Sequence, residues 1–502
     1  MNMTSTVGVP AVLSGTTADL ERELFHIAVR GLAEGTGFYQ DTDERFIALV
    51  AHLALADDGW LVRFIGWLRS YDELASAAVV AATEMARTRL AAGLTTSGGN
   101  RNVISSVLLR ADEPGELLGY WFRRYGRSVP HPIRNGLADA ARNLYDEKAL
   151  ATYDLTAQQV RFADVISLVH PKAATRDQEE LFYHVIARRE NGSPIPASLA
   201  MLRARADLYA VAPQQRQELL DRPDAAQTLA AAGMTYGMLG RWLLNGMDAR
   251  SWAAILPSLS YRDLLASLRA LDECGLSEEI LGRVGALLSD TGRVVRELVL
   301  PLRLHAADRT VPSRRWGRAL EQAMEAALAQ VPALPGRTLI LIDRSASMFT
   351  QVDRGSAVTV ADQATVFGTA LALRARSADL VQFGTAHQQV TFSPGEPLFS
   401  LAERFGEMGD GDAAAAVRKR YDGHDRVVIV TDEPGGSAWQ GEHPVAALPG
   451  HVPSYIWNVA SASNSGGESM TGARRHVFSG LTDGAFTVIP LVEGAYRNSW
   501  PF

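Results

Sequence analysis

A chain of 502 residues with 47% apolar content is long enough for two to four domains and rich enough to build large cores, which excludes a disordered polypeptide. The formal net charge of −7 excludes coating nucleic acid by bulk charge, and the single cysteine, Cys274, excludes an intrachain disulfide or a cysteine-based zinc cluster. No run approaches the roughly 20 apolar residues of a membrane helix, and the N-terminus has neither the basic nor the apolar segment of a signal peptide, so a soluble, cytoplasmic protein is expected.

Residues 1–18 are small and polar and read as a flexible N-terminus. From Asp19, a candidate N-cap, amphipathic segments follow one another. The first places Leu20, Leu24, Phe25 and Val29 on one helical face, and the second does the same with Phe46, Leu49, Val50 and Leu53. Helical periodicity with short connections continues to about Gln330, and predicts an α-helical domain over 19–331 built as a solenoid of stacked pairs, with a long bundle as the alternative. The segment "VPALPG" (Val331–Gly336), with two prolines and a glycine, predicts a boundary. Strand-like runs then alternate with helical ones: "TLILID", "QATVFGTALALRAR", "DLVQF", "QQVTF", "GDAAAAVRKRY", "RVVIVT" and "VPSYIWNV". That alternation predicts a second domain over 332–502, a doubly wound, Rossmann-like α/β fold with a mostly parallel sheet.

Ligands of doubly wound sheets sit beyond the carboxyl ends of the strands. Asp343 closes "TLILID", Ser345 and Ser347 follow at alternate positions, and Asp432 closes "RVVIVTD". Two carboxylates and two hydroxyls suit a hard divalent cation, Mg²⁺ above others. Helix N-capping is the structural alternative for the same residue types. The region resembles a von Willebrand factor type A domain, whose metal-ion-dependent adhesion site carries Asp-x-Ser-x-Ser. The resemblance implies metal ligation by Asp343, Ser345, Ser347 and Asp432. Where that family has a threonine in an intervening glycine-rich loop, this chain has "GEMGDGDAAAA", with Asp410 and Asp412; Asp412 is added to the candidate ligands. An extra carboxylate there neutralises a bound ion and weakens its pull on an acidic partner. Arg344, inside the motif, is read either as the partner of a nearby aspartate or as a phosphate contact.

Of the 49 basic residues only three are lysines, Lys148, Lys172 and Lys419, so cationic chemistry here is mostly the planar, bidentate chemistry of arginine. A dense stretch holds Arg123, Arg124, Arg127, His131, Arg134 and Arg142, interleaved with Tyr120, Trp121, Phe122 and Tyr125; Arg161, His170, Lys172 and Arg176 follow. Phosphate contacts beside stacking surfaces are what single-stranded RNA recognition needs. The alternative places the aromatics in a helix core and the arginines on its solvated face, with His170 as a turn residue before Pro171.

These stretches resemble the TROVE module of the Ro family of RNA-binding proteins. The carriers are "VRFADVISLVHPK" (Val160–Lys172), "YGRSVPHPIRNGLADAARNLYDE", and the C-terminal runs "SYIWNVA", "HVFSGLTDGAFTVIPLVEG" and "WPF". The resemblance implies a ring of HEAT-like helical repeats followed by the A-type domain. It further implies a noncatalytic ribonucleoprotein, expected to be monomeric. Such a protein binds small structured Y-like RNA and the single-stranded ends of misfolded RNA, and acts with exoribonucleases in RNA quality control or maturation. By motif position the RNA contacts fall on Arg123, Arg124, Arg127, His131, Arg134, Arg142, Arg161, His170 and Lys172. A protein-interaction scaffold that captures an acidic partner through the metal site is the second expectation. A Mg²⁺ hydrolase using Asp343 and Asp432 is the third, although paired-metal chemistry needs carboxylates that hold ions about 4 Å apart.

Overall fold

A computed structural model describes residues 13–35, 44–94, 99–191, 194–433, 443–459 and 474–502. Residues 1–12 of the segment expected to be flexible, and Ala460 of "SYIWNVA", lie outside the described residues. Packing divides the chain into two compact units. One comprises Met1–Gly31, Thr36–Met234 and Gly494–Phe502, the other Leu32–Gly35 and Thr235–Glu493. The change in secondary structure falls elsewhere, between the helix Gly317–Gln330 and the first strand at Leu334.

In the first unit, helix follows helix from Thr17. The residues expected on the apolar faces are buried: Leu20, Leu24, Phe25 and Val29 in the first helix, Phe46, Leu49, Val50 and Leu53 in the second. The capping is shifted from the expected residue. Thr16 Oγ1 accepts the Asp19 N–H at 3.3 Å while the Asp19 carboxylate accepts the Thr16 N–H at 3.0 Å, so Thr16 is the cap and Asp19 reciprocates from the third position of the first turn. The C-terminal "WPF" belongs to this unit. Trp500 lies edge-on to Phe25 at 5.2 Å and Phe502 edge-on to Trp60 at 5.5 Å, completing an aromatic cluster with Phe64 and Trp67.

Gly136 lets helix His131–Leu144 approach helix Gly99–Val107 closely, because a Cβ there would stand 2.7 Å from Ile104 Cβ. A bidentate pair from Arg101 to Asp139, at 2.6 and 2.7 Å, holds the two together.

In the second unit, short helices from Tyr236 to Gln330 precede a six-stranded sheet. The strands are β1 (Leu334–Asp343), β2 (Ala375–Phe383), β3 (His387–Gln389), β4 (Arg426–Thr431), β5 (Ser454–Asn458) and β6 (Arg475–Ser479). Their order is β3-β2-β1-β4-β5-β6, parallel except for the antiparallel edge strand β3. Alternate residues of β1 face opposite layers. Leu339 and Leu341 join Val417, Ile429 and Ile456 in one core. On the other face the Ile342 side chain presses on Gly368 of helix Val360–Arg374, and Phe367 of that helix packs on Trp457 and Phe486. The chain passes from β1 out to β2 and β3, then returns to β4 beside β1. The strand order therefore reverses between β1 and β4, where doubly wound sheets place their sites.

The expected break at "VPALPG" is only partial. β1 begins at Leu334, and Pro335 and Gly336 sit in a bulge where the pairing register slips between Leu334 and Arg337. Gly336 takes φ +78°, which a glycine supplies without strain, and a bulge leaves Pro335 free of ladder bonds.

His305 is buried in helix Pro301–Thr310, and neither ring nitrogen has a hydrogen-bond partner among the described residues. Burial lowers its pKa to about 4, with Arg309 adding to the effect and Asp362 opposing it. The unfolded chain thus takes up a proton near pH 6.5 that the folded chain refuses until about pH 4. Stability is untouched above pH 6.5 and falls by about 1.4 kcal/mol per pH unit below it, down to the folded value. The variant His305→Phe should unfold in urea with less pH dependence between 6.5 and 4 than the parent, and should lose nothing at pH 7.5.

Candidate functional site

Polar and charged side chains gather in two places: the oxygen-rich cleft at the strand reversal and the cationic helical surface.

In the cleft, Asp343 ends β1 and is fully buried. Its Oδ1 accepts the Ser345 N–H at 2.8 Å, and its Oδ2 accepts the Thr431 hydroxyl at 2.6 Å. Ser345 Oγ and Ser347 Oγ stand 3.2 Å apart, so the expected serines do converge. The loop after Gly409 closes in from above. A Cβ on Gly411 would lie 3.4 Å from Asp343 Oδ2 and 3.6 Å from Glu433 Oε1, ordinary contact distances, so this loop runs directly beside both carboxylates. Thr385, just beyond β2, anchors that loop by accepting the Asp410 N–H at 3.0 Å. Asp412 caps the helix Ala413–Arg420, its Oδ1 accepting the Ala415 N–H at 2.8 Å.

Burial raises the Asp343 carboxyl above its ordinary range, against the lowering by the Thr431 and Ser345 hydrogen bonds, and Asp432 adds repulsion. Glu433 is pushed up to about 7, first by burial and then by Asp343, Asp432 and Asp412. Four carboxylates therefore share one electrostatic environment. No three His, Cys, Asp or Glu side chains among the described residues converge closely enough to hold a metal ion by themselves. The oxygens that could hold a cation here are the buried Asp343 carboxylate and the neighbouring hydroxyls of Ser345 and Ser347. Such a sparse shell of hard oxygens, completed by water, is what Mg²⁺ accepts.

Sequence reasoning missed Thr431 and Glu433. The run "TDE" after an apolar strand marks a strand end, but only the pairing of β4 beside β1 brings Thr431 to Asp343. Neither reading of Arg344 describes its place. Its guanidinium donates to the carbonyls of Gly406 and Ala361, each at 3.0 Å, and to Thr365 Oγ1 at 2.7 Å, and it covers the Phe349 ring. It is a buried brace that ties the serine turn to helix Val360–Arg374.

On the helical surface, helix Glu113–Tyr125 carries the aromatics inward. Tyr120 and Trp121 are buried, with Trp121 Nε1 donating to the Ser128 carbonyl at 3.0 Å, so these two rings are core and not stacking platforms. Glu84, buried in helix Ala75–Ala91, accepts the hydroxyls of Tyr120 and Tyr125, both at 2.6 Å, and Arg87 Nε at 2.9 Å.

The candidate cations divide into engaged and free. Arg161 is tied at 2.6 Å to the buried carboxylate of Asp154, which also holds Arg188 at 2.6 Å. Arg124 pairs with Glu44 at 2.6 Å, and Arg123 donates to Gln159 Oε1 at 3.2 Å. Arg134 is half-buried, its Nε without a hydrogen-bond partner among the described residues. Arg127 lies over the Phe122 ring at 5.5 Å and is otherwise exposed. Arg142, His131 and Lys172 are exposed and make no ion pair among the described residues. His170 is exposed and ends the helix Phe162–Val169 in the left-handed conformation, φ 47°, a turn position ahead of Pro171.

No helix among the described residues is long and apolar enough to cross a membrane. No protein-family model matches the chain, and no curated protein matches it. Among solved structures, the Ro (RSR) protein of Deinococcus radiodurans superposes with a TM-score of 0.71 over 96% of this chain and 100% of that one, at 17% identity. The chain therefore has the Ro-protein fold, helical repeats followed in sequence by an A-type doubly wound domain.

Proposed function

We propose that the protein is a noncatalytic RNA-binding protein of the Ro type, taking small structured RNA and single-stranded RNA ends in RNA maturation or quality control alongside an exoribonuclease. One observation carries this reading. On a Ro-like helical fold, Arg127, Arg142 and Lys172 present exposed cations that make no ion pair among the described residues, Asp139 near Arg142 being itself paired to Arg101, with His131 and His170 beside them in sequence. A polyanion finds uncompensated charge there despite the negative total. The logarithm of the affinity for a hairpin RNA with a single-stranded tail should fall linearly with the logarithm of salt concentration, and EDTA should change the affinity less than about twofold. Absence of RNA binding at moderate salt would leave the protein-interaction scaffold as the better reading.

The cleft is the place for a divalent cation, Mg²⁺ by its donors, held by Asp343, Ser345 and Ser347 with Asp432 and Asp412 nearby. When bound, the ion offers an open coordination position to an outside oxygen ligand. The surrounding carboxylates offset its charge, which suits a structural or weakly recruiting role more than capture of an acidic partner. Saturating Mg²⁺ at 100 times its Kd should stabilise the protein by about 2.7 kcal/mol in thermal unfolding. The variant Asp343→Ala should show no such shift.

A further inference from the structure

The first unit also contains a cavity of about 410 Å³ where the starts of three helices meet, Glu147–Tyr153, Arg176–Asn191 and Ala200–Ala210. Its floor is apolar: Tyr145, Leu181 and Leu199 are buried, and Met201 is half-buried. Lys148 and Asp177 stand exposed at its rim and make no ion pair among the described residues.

Three helix starts suggest an anion cradle, but their donors are already engaged. Asp146 accepts the Ala149 N–H at 2.6 Å, Glu147 accepts the Leu202 N–H at 2.8 Å, and Gln178 Oε1 accepts the Ala174 N–H at 2.7 Å. A phosphate would find acceptors where it needs donors. The cavity suits a flat body with apolar faces and a polar edge.

Two exposed cations belong to segments that adjoin it. Lys172 lies two residues before Ala174, which lines the cavity. Gln178, also lining it, donates to the Arg142 carbonyl at 2.7 Å, so the residue bearing that exposed guanidinium is fastened to the cavity wall.

We infer that this cavity is a subsite for one unstacked, amino-bearing RNA base, whose flanking phosphates lie toward Arg142, Lys148 and Lys172. The inference rests on the RNA-binding reading and deepens it. Single-stranded bases are splayed out and read on their edges in this way, and a carboxylate such as Asp177 accepts from an exocyclic amino group.

The test uses the full-length chain and three eight-nucleotide strands of equal charge: oligoadenylate, oligouridylate and an abasic ribose-phosphate strand. Oligoadenylate should bind about tenfold more tightly than the abasic strand, with oligouridylate between them. The variant Ala174→Trp, at an exposed lining position, should bring the ratio of oligoadenylate to abasic affinity close to one while its thermal unfolding matches that of the parent. Equal binding of all three strands by the parent, with a normal salt slope, would overturn the base subsite and leave the RNA reading standing. A ratio unchanged in Ala174→Trp would overturn the placement in this cavity. Failure of all three strands to bind, together with the tailed hairpin, would overturn both readings.

Discussion

Replacing Arg127, Arg142 and Lys172 together by glutamine is expected to lower affinity for a tailed hairpin RNA about 100-fold at 0.1 M salt. The estimate follows from counterion release, which contributes a slope of about 0.7 per phosphate contact on single strands. Three lost contacts remove about two slope units, and two units over the decade from 1 M to 0.1 M salt amount to about 100-fold. All three side chains are exposed and none supports the core, so the folded state should be unaffected. The same replacement at Arg161 is a useful contrast. Its guanidinium is bound to the buried Asp154, so Arg161→Gln should cost stability and change the salt slope little. Fluorescence anisotropy across a salt series measures both. An unchanged slope in the triple variant would place the phosphates elsewhere on the molecule.

The second large effect is on stability. Glu84 is fully buried and accepts three hydrogen bonds, from Tyr120, Tyr125 and Arg87. Glu84→Ala leaves two phenol hydroxyls and a guanidinium without their acceptor, and breaking a buried charged network of this kind costs about 3–5 kcal/mol. Glu84→Gln keeps an acceptor oxygen and should recover part of the loss. Urea unfolding measures the difference. The network also matters to the surface above it. Tyr120 and Tyr125 belong to the helix Glu113–Tyr125, whose last turn carries Arg123 and Arg124 and leads to Arg127. Removing a negative charge by itself favours a polyanion, so weaker RNA binding by Glu84→Ala, measured where the variant is still folded, would show that Glu84 acts by holding this helix in place.

Individual residues show what could be read in advance. The Asp-x-Ser-x-Ser spacing after an apolar run was enough to place Asp343, Ser345 and Ser347 at a strand end, because β-strand alternation and a following tight turn are local properties. The helical periodicity likewise announced Leu24 and Phe46 as core. Thr431 and Glu433 were not foreseen, because their roles come from parallel pairing of β4 beside β1, which brings together residues 88 positions apart. Pro335 and Gly336 looked like a linker because local rules do not reveal a bulge, which exists only when a neighbouring strand is present.

The basic surface divides in the same way. Composition and order alone determined that arginine-rich segments lie between residues 123 and 176, and that the chain alternates from helices to an α/β pattern near residue 331. Tertiary structure alone decided which of those cations remain free. Arg124 meets Glu44, which lies 80 positions away, and Arg161 shares Asp154, seven positions before it, with the distant Arg188, while Arg127, Arg142 and Lys172 make no ion pair among the described residues. The physical reason is range. Periodicity, capping and turn chemistry act over a few neighbouring residues, whereas neutralisation of a charge depends on whichever distant segment the fold brings within about 4 Å.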